Sequence, residues 1–387
     1  MEYEKKIEIG NNRSGYCFES LHIFKSLFKA AKFLRRREGK NMNLYAPTYI
    51  LEEFGPGNLL SALKSECEHI IHLPVRAIDF HVKFSKNQDF NAVAYEMGDS
   101  AYTNVSIATV IQLYHHVLLL MGRNELLPQV GEERPYEGIY RIEHFVTPEI
   151  CQYDHRYKQI AFYIGPEDPE RLNLAELITI FGMEFILFHE LGHHVGGHLK
   201  FLERKMGVQQ LYAQGNSFAL DPQAYQMLET DADAIASACL LESISTKIDF
   251  YINSFLNGSG ELLPHCIMIA LTTVFFLMDQ EDAAYDINNS RYIPRDVRFR
   301  LIVHIIQDKL KTDYQSCAFS QTSDKLMDTF RVCNSLLDEL YTEKDSKKKI
   351  VFDEFDEMRE YYNNTLLPLW KKLRIELEKY AVINLPI

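Results

Sequence analysis

Residues 188–199 read FHELGHHVGGHL and contain the pattern HExxH as His189, Glu190 and His193. On a helix, positions i and i+4 share a face, so His189 and His193 can offer two imidazole nitrogens to one divalent ion. Glu190 stands beside the first histidine and can take a proton from a water that the ion activates. Zinc suits this task at neutral pH because it lowers the pKa of bound water to about 7. The chemistry indicated is metal-assisted hydrolysis, and it requires a third protein ligand.

Glu229 supplies that ligand in the segment Glu229-Thr230-Asp231-Ala232-Asp233. On a helix Glu229 and Asp233 share a face, so the glutamate can bind the metal while Asp233 accepts the other N–H of a ligand histidine. Two histidines, a glutamate and a water make an open four-coordinate site. His198 is the competitor. It lies five residues after His193, nearly half a turn off the ligand face, and the position three residues after Gly196 holds Leu199 instead of a histidine. A bend at Gly196-Gly197 would bring His198 back onto the ligand face, which keeps it as the alternative third ligand; with Glu229 as the ligand, His198 stands with Asp233 as a supporting residue. His194 points off the ligand face. His115, His116 and His265 lack partners at ligand spacing and read as core or surface histidines.

The elements that must carry these groups are mostly helices. Asp168-Pro169 places an N-cap and an N1 proline ahead of an apolar helix that runs through the HExxH segment and ends or kinks at Gly196-Gly197. Asp221-Pro222 repeats the signature for a helix from about Pro222 to Leu241. Upstream, a strand is expected over 78–84, then a hairpin over 89–107 turning at Gly98-Asp99, and a helix from Ser106 to Met121. Residues 1–75 are expected to be largely helical, and 122–170 a longer connection with a possible strand pair at 139–146 and 159–164. Beyond 263 follow an apolar helix to 279, a helix over 296–310, and two amphipathic helices between 320 and 380 split by the charged stretch 343–349. The implied division is a helical part over 1–76, a core over 77–312 with an insertion at 122–170, and a helical part over 313–387 packed on that core.

A net charge of −13 argues against wholesale binding to nucleic acid or an anionic membrane. The seven cysteines are scattered, odd in number and without a CxxC pair, which fits reduced thiols in a cytoplasmic protein. The first ten residues carry no apolar segment of a secretory signal. The most apolar run, Cys266 to Met278, is thirteen residues long, shorter than a membrane span and right for a buried helix. No stable membrane insertion is expected, and oligomeric state is not indicated.

HELGH followed by Glu229-Thr230-Asp231-Ala232-Asp233 resembles the gluzincin metallopeptidases, nearest to the HtpX/CAAX-processing type and the soluble Lit-type phage-exclusion peptidases. Asn91-Ala92-Val93-Ala94 resembles the edge strand upstream of HExxH in that family. Residues 290–298 (SRYIPRDVR) resemble its downstream SHPPxxxR segment, with Tyr292 where histidine is common. The resemblance spans roughly 77–310. It implies an α+β, mostly helical fold: a zincin-like core whose small antiparallel sheet packs on a central HExxH helix, followed by a helical C-terminal part.

It further implies that Asn91, Ala92 and Val93 hold a peptide as an added antiparallel strand, and that Tyr292 or Arg298 donates to the developing oxyanion. The expected activity is that of a soluble, cytoplasmic zinc endopeptidase with Glu190 as general base, acting on a protein or peptide and regulated or used against phage. The alternatives are a non-hydrolytic metal-containing sensor or binding protein, and a metal-dependent hydrolase of small molecules.

Overall fold

The structure, a computed structural model, describes residues 79–85, 90–98, 100–131, 166, 168–206, 210–212, 222–278, 293, 297–299, 301–303, 306, 323–340 and 360–382. The expected N-terminal helices over 1–75, the strand pair at 139–146 and 159–164, the charged stretch 343–349 and Tyr292 lie outside the described residues.

Strands β1 (Asp79–Ser85), β2 (Ala92–Met97) and β3 (Ser100–Ser106) form where the alternating segments place them. In β2 the alternation is visible as burial: Ala92 and Ala94 are buried while Val93 and Tyr95 are half-buried. β2 and β3 pair antiparallel as a hairpin turning at Gly98, with Ala94 opposite Thr103. The sheet as a whole is not antiparallel as expected. β1 lies on the far side of β3 from β2 and pairs with β3 in parallel register, Phe80 opposite Ala101. Direction alternates along the chain, so seating the first strand beside the third makes that pair parallel and the sheet mixed.

A further strand, β4 (Gln210–Tyr212), pairs antiparallel with the outer edge of β2, giving the order β1-β3-β2-β4.

Ser106 ends β3 and caps helix α1 (Ile107–Met121), its hydroxyl accepting the Ala108 N–H at 3.1 Å. Helix α2 (Pro169–Val195) begins as its sequence dictates. Asp168 accepts the N–H groups of Glu170 and Arg171 at 2.8 and 3.0 Å, and Pro169 fills the first turn. Nearly every residue from Leu174 onward is buried, so α2 is the axis of the core. The polar interruption at Glu184 is answered by Lys247, 3.6 Å away, and by the Ser243 hydroxyl.

After α2 come α3 (His198–Met206), α4 (Pro222–Thr246), α5 (Ile248–Phe255), α6 (Leu263–Met278), α7 (Ser323–Leu340) and α8 (Leu367–Leu377). A π-helical turn over Tyr362–Leu366 leads into α8. Phe185 of α2 meets Phe275 of α6 edge to face at 5.5 Å, and Phe181 meets Tyr251 of α5 at 5.2 Å. By length and composition Pro169–Val195 and Gly260–Met278 could each cross a membrane, yet 83% of the apolar window of each is covered by the protein itself. Their apolar character is used in core packing.

Two glycines decide how the site elements meet. Gly192 lies where α2 crosses α4: a Cβ there would sit 3.2 Å from both Cα and O of Ala232, so the two backbones approach as closely as they do only because that atom is missing. Gly197 adopts φ +78° beyond the end of α2, turning the chain into α3, and a Cβ on it would run into the Tyr380–Ala381 backbone at about 2.5 Å.

Candidate metal centre

His189 and His193 sit one helical turn apart on α2, and the crossing at Gly192 and Ala232 brings Glu229 of α4 onto the same spot. The Nε2 atoms of the two histidines are 3.2 Å apart. Glu229 Oε2 lies 3.2 Å from His189 Nε2, and its Oε1 lies 3.6 Å from His193 Nε2. All three side chains are buried, and together they form a group able to hold a metal ion. The spacing fits one. Bonds of about 2.0–2.1 Å from zinc to nitrogen or oxygen place tetrahedral ligand atoms roughly 3.3–3.4 Å apart.

Each histidine that presents Nε2 to a metal must keep its proton on Nδ1, where it needs an acceptor. For His189 the acceptor is Asp233, with Nδ1 2.9 Å from Oδ1. Asp233 is in turn gripped by Arg298, whose Nε and Nη2 donate to Oδ2 and Oδ1 at 2.7 and 2.9 Å. The Arg298 guanidinium lies 4.9 Å from the centre of the Phe275 ring, closing that side with an apolar face. Asp233 therefore stands where the i+4 spacing predicts. Arg298, read from sequence as a donor to an oxyanion, lies instead behind the ligand ring with its fork spent on a carboxylate: it is buried, and it orients Asp233.

For His193 the acceptor is His198. The turn at Gly196-Gly197 swings His198 back until the two Nδ1 atoms are 2.9 Å apart, so it is a supporting residue and not a ligand. With its Nδ1 accepting, His198 carries its proton on Nε2 and donates it to Asp231 Oδ2 at 2.9 Å. Asp231 Oδ1 accepts the Trp370 indole N–H at 2.6 Å, and Arg374 Nε lies 3.0 Å from the same oxygen as a charge contact without hydrogen-bond alignment.

Asp231, Trp370 and Arg374 were not anticipated. Asp231 is two residues from Glu229, about 200° around the helix, so a search at ligand spacing passes over it. Its partners lie some 140 residues downstream in α8. The only sequence signals are a third acidic residue in LETDAD and the single tryptophan of the chain.

Glu190 is buried beside the ligands. Burial pushes its pKa up to about 8; the Glu229 charge adds to this, while the His189 charge and the Ala94 amide oppose it. A carboxyl poised near neutrality is suited to taking and returning a proton. Burial disfavours charge on His189, but hydrogen bonds to Asp233 and Glu229 outweigh it and push its pKa up to about 10. His193 moves the other way, held neutral by burial and by the positive His189 beside it. For Asp233, burial is outweighed by Arg298 and His189; for Asp231, it is outweighed by His198, Arg374 and Trp370. Both stay ionised below the usual carboxylate range.

The segment expected to bind substrate is near the site but is not a free edge. Val93 of β2 pairs with Tyr212 and Tyr95 with Gln210, so β4 occupies the position an added peptide strand would take there. Ala92 is buried in the core. Asn91 is tied by its backbone: its N–H donates to Thr109 Oγ1 at 2.8 Å, and its carbonyl accepts from Ser106 N–H and from the Thr109 hydroxyl. Its Oδ1 is buried with no hydrogen-bond partner among the described residues.

Four further histidines among the described residues stand apart from the ligand group. His194 Nε2 lies 3.1 Å from the Tyr102 carbonyl, His265 bonds Thr329, and His115 and His116 are held neutral by burial, at about 3 and 4.

Compared with known proteins, the chain matches no family model, no curated protein and no solved structure.

Proposed function

We propose that this chain is a zinc-dependent hydrolase of peptide bonds. The observation that carries the reading is a single arrangement: three buried side chains whose nearest N and O atoms lie 3.2–3.6 Å apart, with the buried carboxyl of Glu190 beside them. A site that only stabilised the fold would have no use for Glu190; structural zinc sites close the fourth position with a protein ligand. Among the described residues the grouped ligands are three.

The ion, when bound, supplies Lewis-acid activation of water and of the scissile carbonyl. His189 and His193 contribute neutral imidazoles locked by Asp233 and His198, so neither ring has to reorient during turnover. Glu190 takes the proton of the attacking water and returns it to the departing amine. Its place next to the ligand His189 sets the carboxyl at the metal group for both transfers. Burial excludes bulk water from that exchange.

The test is a cleavage screen over a peptide library, comparing the zinc-bound protein with a zinc-bound Glu190→Gln variant. Cleavage by the first and not the second supports the reading. Equal cleavage by both removes Glu190 as the base, and no cleavage of any peptide by the zinc-bound protein overturns peptide hydrolysis.

A further inference from the structure

We propose that the C-terminal helix α8 is part of the metal centre, with Trp370 and Arg374 acting as positioning residues for the ligand His193 through Asp231 and His198. The inference rests on the metal-centre reading and extends it to the far end of the chain.

The path is continuous. His193 Nδ1 donates to His198 Nδ1 at 2.9 Å, His198 Nε2 donates to Asp231 Oδ2 at 2.9 Å, and Trp370 Nε1 donates to Asp231 Oδ1 at 2.6 Å. Arg374 supplies the positive charge that a fully buried Asp231 requires, since His198 in this arrangement is neutral. Removing α8 would leave Asp231 without its cation and its indole donor, and His198 would lose the anchor that aims its Nδ1 lone pair at His193.

Apolar packing holds the same elements together. Leu377 of α8 lies in one cluster with Leu199, Leu202 and Leu228, on the helices that carry His198 and Asp231. Trp370 and Leu373 pack against a cluster that holds Met227 of α4 together with Val297 and Leu301 of the segment that carries Arg298. The chain after α8 is bonded to the end of the HExxH helix itself, Val382 N–H donating to Val195 C=O at 2.8 Å. Gly197 accepts the Tyr380–Ala381 backbone at the turn that folds His198 back. The two ligand histidines thus have separate supports, Asp233 and Arg298 for His189, Asp231 and α8 for His193.

Coupling of this kind is reciprocal: docked α8 tightens metal binding, and bound metal tightens the docking of α8 by the same factor. Trp370 is the chain's single tryptophan, so its fluorescence reports from inside the relay.

The experiment titrates Zn²⁺ into the full chain while following Trp370 emission. Zinc affinity is measured separately by chelator competition for the wild type, Trp370→Phe and Asp231→Asn. Emission is expected to change with the same midpoint as metal binding. Both variants should bind zinc more weakly, by up to the roughly 10- to 100-fold typical when the direct outer partner of a ligand histidine is lost. A merely structural role for Trp370 would lower the melting temperature of the metal-free variant and leave its zinc affinity, measured well below that temperature, unchanged. Emission constant through saturation, or wild-type affinity in a folded Trp370→Phe, overturns the inference and leaves the metal centre standing. Should the variants fail to fold, the wild-type emission titration decides alone. A wild type that binds no zinc overturns both the inference and the reading beneath it.

Discussion

Gly192 and Ala232 set the distance between the two helices of the site: a Cβ on Gly192 would lie 3.2 Å from Ala232 Cα. The three ligands can converge because α2 and α4 approach backbone to backbone at that point, one residue before His193 and three after Glu229. Gly192→Ala forces the pair apart by a few tenths of an ångström and Gly192→Val by more. Overpacking of this kind costs about 1–3 kcal/mol. Both variants are expected to lower the melting temperature and weaken metal binding in that order, read by differential scanning calorimetry and chelator competition. Wild-type metal affinity in a folded Gly192→Val would show that the crossing does not set the ligand spacing.

Arg298 grips Asp233 with two hydrogen bonds and so acts on the metal through His189. Arg298→Lys keeps the charge but loses the planar fork. The variant is expected to bind metal roughly 10- to 100-fold more weakly, while turnover at saturating metal stays near the wild-type value. Arg298→Met strands a buried carboxylate, a change that typically costs about 3–5 kcal/mol. Turnover lost at full metal occupancy in Arg298→Lys would instead give the guanidinium a direct part in the reaction.

The protonation of the site gives stability and metal binding opposite pH dependences. His189 is raised from 6.5 to about 10: burial opposes the charge, and Asp233 and Glu229 overcome it. A pKa raised by folding contributes stability that is complete below about pH 6.5 and lost as pH rises through about 10. Glu190, raised by burial from 4.5 to about 8, acts in the same direction, its contribution complete below 4.5 and lost through 8. The metal-free protein should therefore lose thermal stability between pH 6.5 and 10. A metal needs the neutral imidazole and must expel the proton, so the rise in melting temperature produced by zinc should grow over the same window. Calorimetric scans with zinc and with EDTA, at about pH 6.5 and about pH 8.5, measure both trends. A zinc-induced rise that shrinks toward alkaline pH contradicts this ordering of pKa values.

What could be read from the chain alone follows the range of the interactions. His189, His193, Glu229 and Asp233 lie at i and i+4 spacings on helices whose starts are marked by Asp-Pro pairs, and local geometry carries them to the site. The hairpin was legible for the same reason, through a Gly-Asp turn, and a helix was expected over 106–121, where α1 lies with Ser106 as its cap. The parallel seating of β1 on β3 and the covering of β2 by β4 depend on which strands meet in space, and no local pattern encodes that. His198 reaches His193 through the turn at Gly197, and its other partner, Asp231, lies on a different helix at no spacing a local pattern marks. Asp231 and Trp370 are 139 residues apart and meet only because α8 packs on α4. The resemblance of residues 290–298 offers Arg298 as a donor to an oxyanion, whereas its guanidinium is turned to Asp233, a direction of approach that no local pattern encodes.

The most direct test of the metal centre is X-ray absorption at the zinc edge on protein reconstituted with one equivalent of zinc. The expected result is one tightly bound zinc per chain, a first shell of nitrogen and oxygen only at about 2.0–2.1 Å, and imidazole scattering that falls by half in His193→Ala. Sulfur in the first shell at about 2.3 Å, or imidazole scattering unchanged in His193→Ala, would contradict a centre built from His189, His193 and Glu229.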